Sequence, residues 1–227
     1  MKVQEYISSR REARPLHFTL LDPGKTSADD LITLAKQTAE AGTDGFMVGG
    51  STDLSLENVD LAVETIKQTT HMPVILFPTH ASSVSGKADA IFFMSLLNSE
   101  SRQFLVGEQI ASAPWVKKTG LEPLSMAYLV VAPGMTAGRV GQAQPLPRDQ
   151  PDLVVSHALA GQYLGMKYIY LEAGSGASEP VPEDIIKSVR ESIDVTLIVG
   201  GGIRTPESAR KVVAAGADIV ATGTFVE

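Results

Sequence analysis

Val195-Thr196-Leu197-Ile198-Val199-Gly200-Gly201-Gly202-Ile203-Arg204-Thr205-Pro206-Glu207 opens the stretch that decides the fold, and Ala217-Asp218-Ile219-Val220-Ala221-Thr222-Gly223-Thr224 closes it. The apolar run 195–199 reads as a strand buried on both faces. Three glycines follow it, and Thr205-Pro206 then signals a helix start, with Thr205 as N-cap and Pro206 at the first helical position. Gly216 ends that helix, and 217–221 is a second buried strand running into Thr222-Gly223-Thr224. Two parallel strands that end in small residues offer backbone N–H groups with no side chains in the way, which suits a phosphate. In an eight-stranded β/α barrel the loops after strands 7 and 8 are where such a site usually lies. The competing reading is that these glycines only make tight turns.

Working outward, the same alternation recurs. Strands are expected at 16–21, 44–48, 74–77, 90–94, 124–131 and 168–172, and helices at 27–41, 56–66, 102–118, 151–164 and 182–192. Residues 1–14 read as a solvated lead-in helix with a basic cluster, Arg10-Arg11-Glu12-Ala13-Arg14. The segment 78–87, Pro-Thr-His-Ala-Ser-Ser-Val-Ser-Gly-Lys, is too short for a crossover helix with its two loops, which needs about a dozen residues. An irregular connector is expected there, leaving a gap in the outer helix ring that could admit a long apolar ligand. Residues 133–148 read as a glycine- and proline-rich loop. The sum is a single domain over 1–227, a (β/α)8 barrel with the helix between strands 3 and 4 replaced by a connector and no helix after strand 8.

Composition narrows the function. The net charge of -7, from 19 basic and 26 acidic residues, argues against non-specific nucleic-acid binding and a polybasic membrane anchor. Cysteine is absent, which removes disulfides and thiolate metal sites. No run of about 18 apolar residues and no signal region occur, so a cytoplasmic protein without a transmembrane segment is expected.

In such a barrel the chemistry gathers at the C-terminal ends of the strands. Asp22 and Ser51 end neighbouring strands and offer hard oxygens of the kind Mg²⁺ takes, with waters and substrate phosphates completing its shell. Asp22 could equally be a turn aspartate before Pro23, and Ser51 a helix cap. Glu172 ends strand 6, where a carboxylate could act as general base on a hydroxyl or serve in an ion pair. Tyr170 shares its side of the strand and is either a mouth residue or a core tyrosine. Ala173-Gly174-Ser175-Gly176 forms another glycine-rich loop. The four histidines show no metal-ligand spacing, and His80, in the connector, is expected in solvent rather than on a ligand. Met94, Met126 and Met135 are read as core filling, with an apolar pocket as the other possibility.

The blocks His17-Phe18-Thr19-Leu20-Leu21-Asp22-Pro23-Gly24-Lys25, Gly49-Gly50-Ser51-Thr52, Phe92-Phe93-Met94-Ser95-Leu96-Leu97-Asn98, Tyr170-Leu171-Glu172-Ala173-Gly174-Ser175-Gly176 and Val199-Gly200-Gly201-Gly202-Ile203-Arg204 resemble the geranylgeranylglyceryl phosphate synthase family, as do Pro133-Gly134 and Thr222-Gly223-Thr224. The resemblance runs from about residue 15 to the last residue. It implies a prenyltransferase joining sn-glycerol 1-phosphate to geranylgeranyl diphosphate, an early step of archaeal ether-lipid synthesis. It further implies Mg²⁺ on Asp22 and Ser51, glycerol phosphate on 170–176, Gly201, Gly202, Gly223 and Thr224, and Glu172 as the base. Lys25 would add a contact to the diphosphate, and a homo-oligomer is implied. Gly24 stands where many relatives carry a second acid, and the 78–87 connector departs from the common family wording. Bacterial relatives use a longer heptaprenyl donor. From other classes, a phosphosugar isomerase or lyase and a non-enzymatic phosphometabolite-binding barrel share the same phosphate position.

Overall fold

A computed structural model describes residues 1–50 and 54–223. Eight parallel strands close in chain order into one barrel: β1 (Leu16–Leu21), β2 (Gly45–Val48), β3 (Val74–Leu76), β4 (Ala90–Leu96), β5 (Glu122–Val130), β6 (Tyr168–Glu172), β7 (Thr196–Gly200) and β8 (Ile219–Thr222). The closing pair sets Leu16 beside Ile219 and Phe18 beside Ala221. Helices α1 (Val3–Arg11), α2 (Ala28–Glu40), α3 (Leu56–Thr69), α4 (Glu108–Thr119), α5 (Met135–Val140), α6 (Pro151–Tyr163), α7 (Glu183–Ser192) and α8 (Pro206–Ala214) alternate with them. The expected caps are present: Ser27 Oγ accepts from Asp30 N, and Thr205 Oγ1 accepts from Ser208 N with Pro206 first in the helix.

Between β3 and β4 the described chain holds only a 3-10 turn, Ala81–Ser83, so the outer ring lacks a helix there. The expected helix over 102–118 instead opens with a π-helical turn, Gln103–Gly107, before α4 begins. The expected loop over 133–148 contains the short α5.

Strand alternation sorts the core into two layers. Phe18, Met47, Ile75, Phe92, Met126, Ile198 and Ile219 point inward and fill the barrel, each 1% exposed or less. Burying each of them contributes about 1.5–3 kcal/mol. Their neighbours in the chain, such as Leu129, Leu171, Leu197 and Val220, point outward against the helices. Helix α1 lies across the N-terminal end, burying Val3 and Ile7 in the inner layer. The basic cluster there is exposed as expected, with the Arg10 and Arg14 side chains 49% and 53% exposed, but its arginines also find carboxylates. Arg14 pairs through both Nη atoms with the Asp44 carboxylate (2.9 and 2.6 Å), Arg10 joins at 3.5 Å, and Arg11 pairs with Asp218 at 3.4 Å. Glu122 accepts from the backbone N–H groups of Val3 and Gln4 (2.6 and 3.2 Å). With that end closed, the opposite mouth is where strands and loops can form a site.

Candidate active site

Glu172 is the last residue of β6, two positions beyond Tyr170 on the inward face. It is 7% exposed. Its Oε1 accepts from the Gly174 backbone N–H at 2.6 Å, and its Oε2 accepts from the Tyr128 hydroxyl at 3.2 Å. The Tyr170 hydroxyl donates to the same carboxylate. Burial pushes the Glu172 carboxyl up, and the bonds from Gly174, Tyr128 and Tyr170 pull part of that back. The two phenols, buried and facing a carboxylate, are pushed well above the usual tyrosine range and stay protonated donors. Phe77 stacks edge-on against Tyr128 (5.4 Å between ring centres), and Tyr128 packs against Tyr170 at 5.1 Å. The aromatic layer therefore holds both donors beneath the acid. An ion pair is not what holds Glu172; its partners are two hydroxyls and an amide. Tyr170 is at once a core tyrosine, 2% exposed, and part of the pocket wall.

Two cavities meet at this carboxylate, sharing Leu20, Gly50, Glu172 and Ser175. One, of about 1090 Å³, is lined by Ser175, Gly176, Gly201, Gly202 and Gly223 with the cations Lys25 and Arg204. Glycine is required where the walls close in. A Cβ on Gly201, whose φ is +80°, would lie 2.3 Å from Glu172 Oε1, and one on Gly200 would lie 2.1 Å from the Tyr170 hydroxyl. The backbone thus approaches the pocket bare, just ahead of the α8 N-terminus. Leu171 and Ala173 send their side chains into the helix layer, so only their backbone belongs to this loop. Gly174 is used to orient Glu172. Arg204, which donates to Gly176 O at 2.9 Å, was legible only as part of a motif, with no role attached. Ser51 and Thr224 lie outside the described residues.

The second cavity, of about 980 Å³, runs beneath the gap in the helix ring. Phe77, Phe92, Phe93, Met94 and Phe104 make it apolar, and the connector residues Pro78, Ala81 and Val84 form its outer wall. Met94 therefore lines a pocket, Met126 is core, and Met135 is exposed. His80 also lines this cleft instead of facing bulk water alone, with its Nδ1 3.1 Å from Glu108 Oε1. The same Glu108 carboxylate accepts from Ala81 N (2.6 Å) and Gln103 Nε2 (2.6 Å), tying the connector to α4. Trp115 Nε1 adds a bond to Val84 O at 2.9 Å.

At the junction Asp22 directly follows β1, 3% exposed. Its Oδ1 accepts from Gly24 N at 3.0 Å and its Oδ2 lies 3.0 Å from Lys25 Nζ. Gly50 forms a cradle around it: a Cβ there would fall 2.4 Å from Oδ1 and 2.5 Å from Oδ2. Among the described residues no three His, Cys, Asp or Glu side chains gather as a metal site. One hard carboxylate, open toward the polar pocket, fits an ion whose other ligands come from a substrate, which is how Mg²⁺ is commonly held.

A family model described as the PcrB family matches residues 7–227. The geranylgeranylglyceryl phosphate synthase of Pyrococcus horikoshii is 53% identical over 226 residues, spanning 100% of this chain and 89% of that protein. The synthase of the same name from Methanothermobacter marburgensis is 48% identical over 227 residues, spanning 100% and 92%. Among solved structures, (S)-3-O-geranylgeranylglyceryl phosphate synthase from Thermoplasma acidophilum, in complex with its substrate sn-glycerol 1-phosphate, superposes with a TM-score of 0.97 at 45% identity. That match covers 100% of this chain and 92% of the other. N-acetylmannosamine-6-phosphate 2-epimerase from Clostridium perfringens, with a TM-score of 0.57 and 13% identity over 93% of this chain and 87% of its own, shares the fold alone.

Proposed function

The chain belongs to the PcrB family, and from that premise we infer that it is a geranylgeranylglyceryl phosphate synthase. It joins the 3-hydroxyl of sn-glycerol 1-phosphate to the first carbon of geranylgeranyl diphosphate. The single observation that carries this reading is the position of Glu172, where a glycine-walled polar pocket meets an apolar cleft. A phosphate suits the first and a prenyl tail the second, which leaves the hydroxyl and the reacting carbon beside the carboxylate.

In the reaction the glycerol oxygen forms a bond to the first prenyl carbon as that carbon's bond to diphosphate breaks, and the hydroxyl proton passes to Glu172. Its raised proton affinity suits a base at neutral pH. Tyr128 and Tyr170 hold the carboxylate in place, and the backbone of Gly176, Gly201, Gly202 and Gly223 with Ser175 anchors the phosphate, so that the hydroxyl is oriented before it reacts. Asp22 and Ser51 would hold Mg²⁺, which supplies neutralisation of the charge growing on the departing diphosphate. Lys25 contributes a further positive charge on that side. Its ion pair with Asp22 argues against a Schiff-base lysine and hence against a phosphosugar lyase.

A homo-oligomer belongs to the same proposal, supported by the exposed Val106 and Ile110, four residues apart across the start of α4. Among the described residues no helix is long and apolar enough to cross a membrane. The test supplies labelled sn-glycerol 1-phosphate, Mg²⁺ and prenyl diphosphates of increasing length. Transfer of label into a lipid extract, greatest with the geranylgeranyl donor, is the expected result. A preference for a heptaprenyl donor would reassign the donor, and no product with any donor from folded protein would overturn the reading.

A further inference from the structure

Asn98, just beyond β4, is a buried amide whose hydrogen-bonding groups are all engaged, 7% exposed. Its Nδ2 donates to Val130 O at 2.9 Å and to Gln144 O at 2.7 Å, while Oδ1 accepts from Val130 N at 3.1 Å. Its backbone carbonyl accepts from Gln144 N at 2.8 Å. The next residue continues the stitching, with Ser99 Oγ donating to Gly141 O at 2.6 Å. The segment that follows α5 is therefore sewn onto the ends of β4 and β5 by two adjacent side chains.

What that segment carries is informative. On one side Ala137, Val140 and Gly141 wall the apolar cleft. On the other, α5 sits on Val130, whose Cγ1 would lie 2.7 Å from a Cβ on Gly134. Gly134 N donates to Ala173 O at 3.0 Å, and Gly174 approaches so closely that a Cβ there would be 2.6 Å from the Gly134 carbonyl carbon. Gly174 N in turn orients Glu172. One packed unit thus touches both the wall of the cleft and the turn that aims the base.

We propose that Asn98 is a positioning residue that locks the 132–146 segment as a single body, linking the wall of the prenyl cleft to the turn that aligns Glu172. The proposal rests on the reading of Glu172 as base and of the cleft as the prenyl site. Filling the cleft presses on α5, and the Gly134–Gly174 contact carries that to the Glu172 carboxylate. Contiguous packing of this kind transmits small shifts because each contact is already at van der Waals limits.

The test uses Asn98→Asp, which keeps the volume and the acceptor for Val130 N but replaces both donors with an oxygen facing two carbonyls. Steady-state kinetics over pH are combined with amide hydrogen exchange at Ala143, Gln144 and Gly174 in the free protein. The expected result is a kcat lowered by about 10–100-fold, the scale of an ångström of misalignment. The KM for glycerol phosphate stays near wild type, the acidic limb of kcat/KM moves to higher pH, and exchange at Gly174 rises together with that at Gln144. Faster exchange at Gln144 with Gly174, kcat and the acidic limb unchanged would overturn the proposal and leave Asn98 a local brace. If Asn98→Asp does not fold, Ser99→Ala is read the same way, since it removes one bond of the same seam. A wild-type protein that makes no product overturns the proposed function instead, and the exchange data decide the linkage by themselves.

Discussion

Glu172→Gln should move activity and stability in opposite directions. The substitution keeps the volume and an acceptor for Gly174 N–H but removes the base. Loss of a positioned general base costs about 10²–10⁴ in rate, which is about 2.7–5.5 kcal/mol of barrier. On the stability side, a buried carboxylate has lost several kcal/mol of hydration. Hydrogen bonds to a charged acceptor return about 1.5–3 kcal/mol each against about 0.5–1.5 for a neutral one. Three donors on Glu172 therefore forfeit about 3 kcal/mol when the charge goes. The upward shift of the carboxyl says that burial outweighs those bonds, so the amide is the more stable occupant at neutral pH. The sign with pH follows from linkage. Because the folded value lies above the ordinary 4.5, the stability of the protonated form is fully present below pH 4.5 and is lost as pH rises through the raised value. The melting temperatures of the two proteins should be close below pH 4.5 and separate towards neutrality, with Glu172→Gln higher. Thermal scans across that range, beside the lipid-extraction assay at pH 7, check both halves. Equal turnover by the two proteins, or a variant that melts lower at neutral pH, would refute the reasoning.

Three further outcomes are expected. Gly201→Ala, forced to place a methyl 2.3 Å from Glu172 Oε1 at a left-handed φ, should raise the KM for glycerol phosphate and lower kcat, with about 1–2 kcal/mol lost in a denaturant titration; wild-type kinetics would refute the close-approach argument. Chelation of divalent ions should stop turnover yet leave the melting temperature of the ligand-free protein unchanged, because among the described residues no three His, Cys, Asp or Glu side chains gather to hold an ion without substrate; a marked drop in melting temperature would mean a structural metal. Asp44→Ala leaves the His17 N–H without its acceptor and Arg14 and Arg10, both about half exposed, to water, so it should cost about 1–3 kcal/mol of stability while kcat/KM stays at the wild-type value, since it lies at the far end of the barrel; a kinetic defect at full stability would contradict that separation.

The parts of this molecule that could be read from the sequence are those set by neighbours along the chain. Thr205-Pro206 and Ser27 declare helix starts because a cap needs only the next three residues. The missing helix before β4 follows from counting residues. The inward position of Glu172 follows from alternation. What could not be read depends on distant partners. Tyr128 meets Glu172 across 44 residues, and nothing local to either declares it. Helix α5 has no local signal because Gly134 and Gly138 are poor helix formers, and it is held instead by Val130 and by the Asn98 seam. The place of His80 against the cleft is not legible because its carboxylate partner, Glu108, is on a helix 28 residues away. The exposure of the basic cluster near the N-terminus is legible, but its carboxylate partners, Asp44 and Asp218, are not, for the same reason.

That cluster has a consequence for how the chain assembles. Helix α1 leaves the ribosome ahead of every strand of the barrel, yet the carboxylate that seats its first turn is 119 residues further along, and another of its anchors, Asp218, stands just before β8. Until those strands exist, Val3 and Ile7 have no complete inner layer to enter and Arg11 has no Asp218 to pair with, although Arg10 and Arg14 can already meet Asp44. Docking of α1 therefore waits for ring closure, a long-range contact of the sort that slows folding. A helix made before the whole barrel is thus among the last elements to find its place, and the nascent chain carries it unseated while all eight strands are translated.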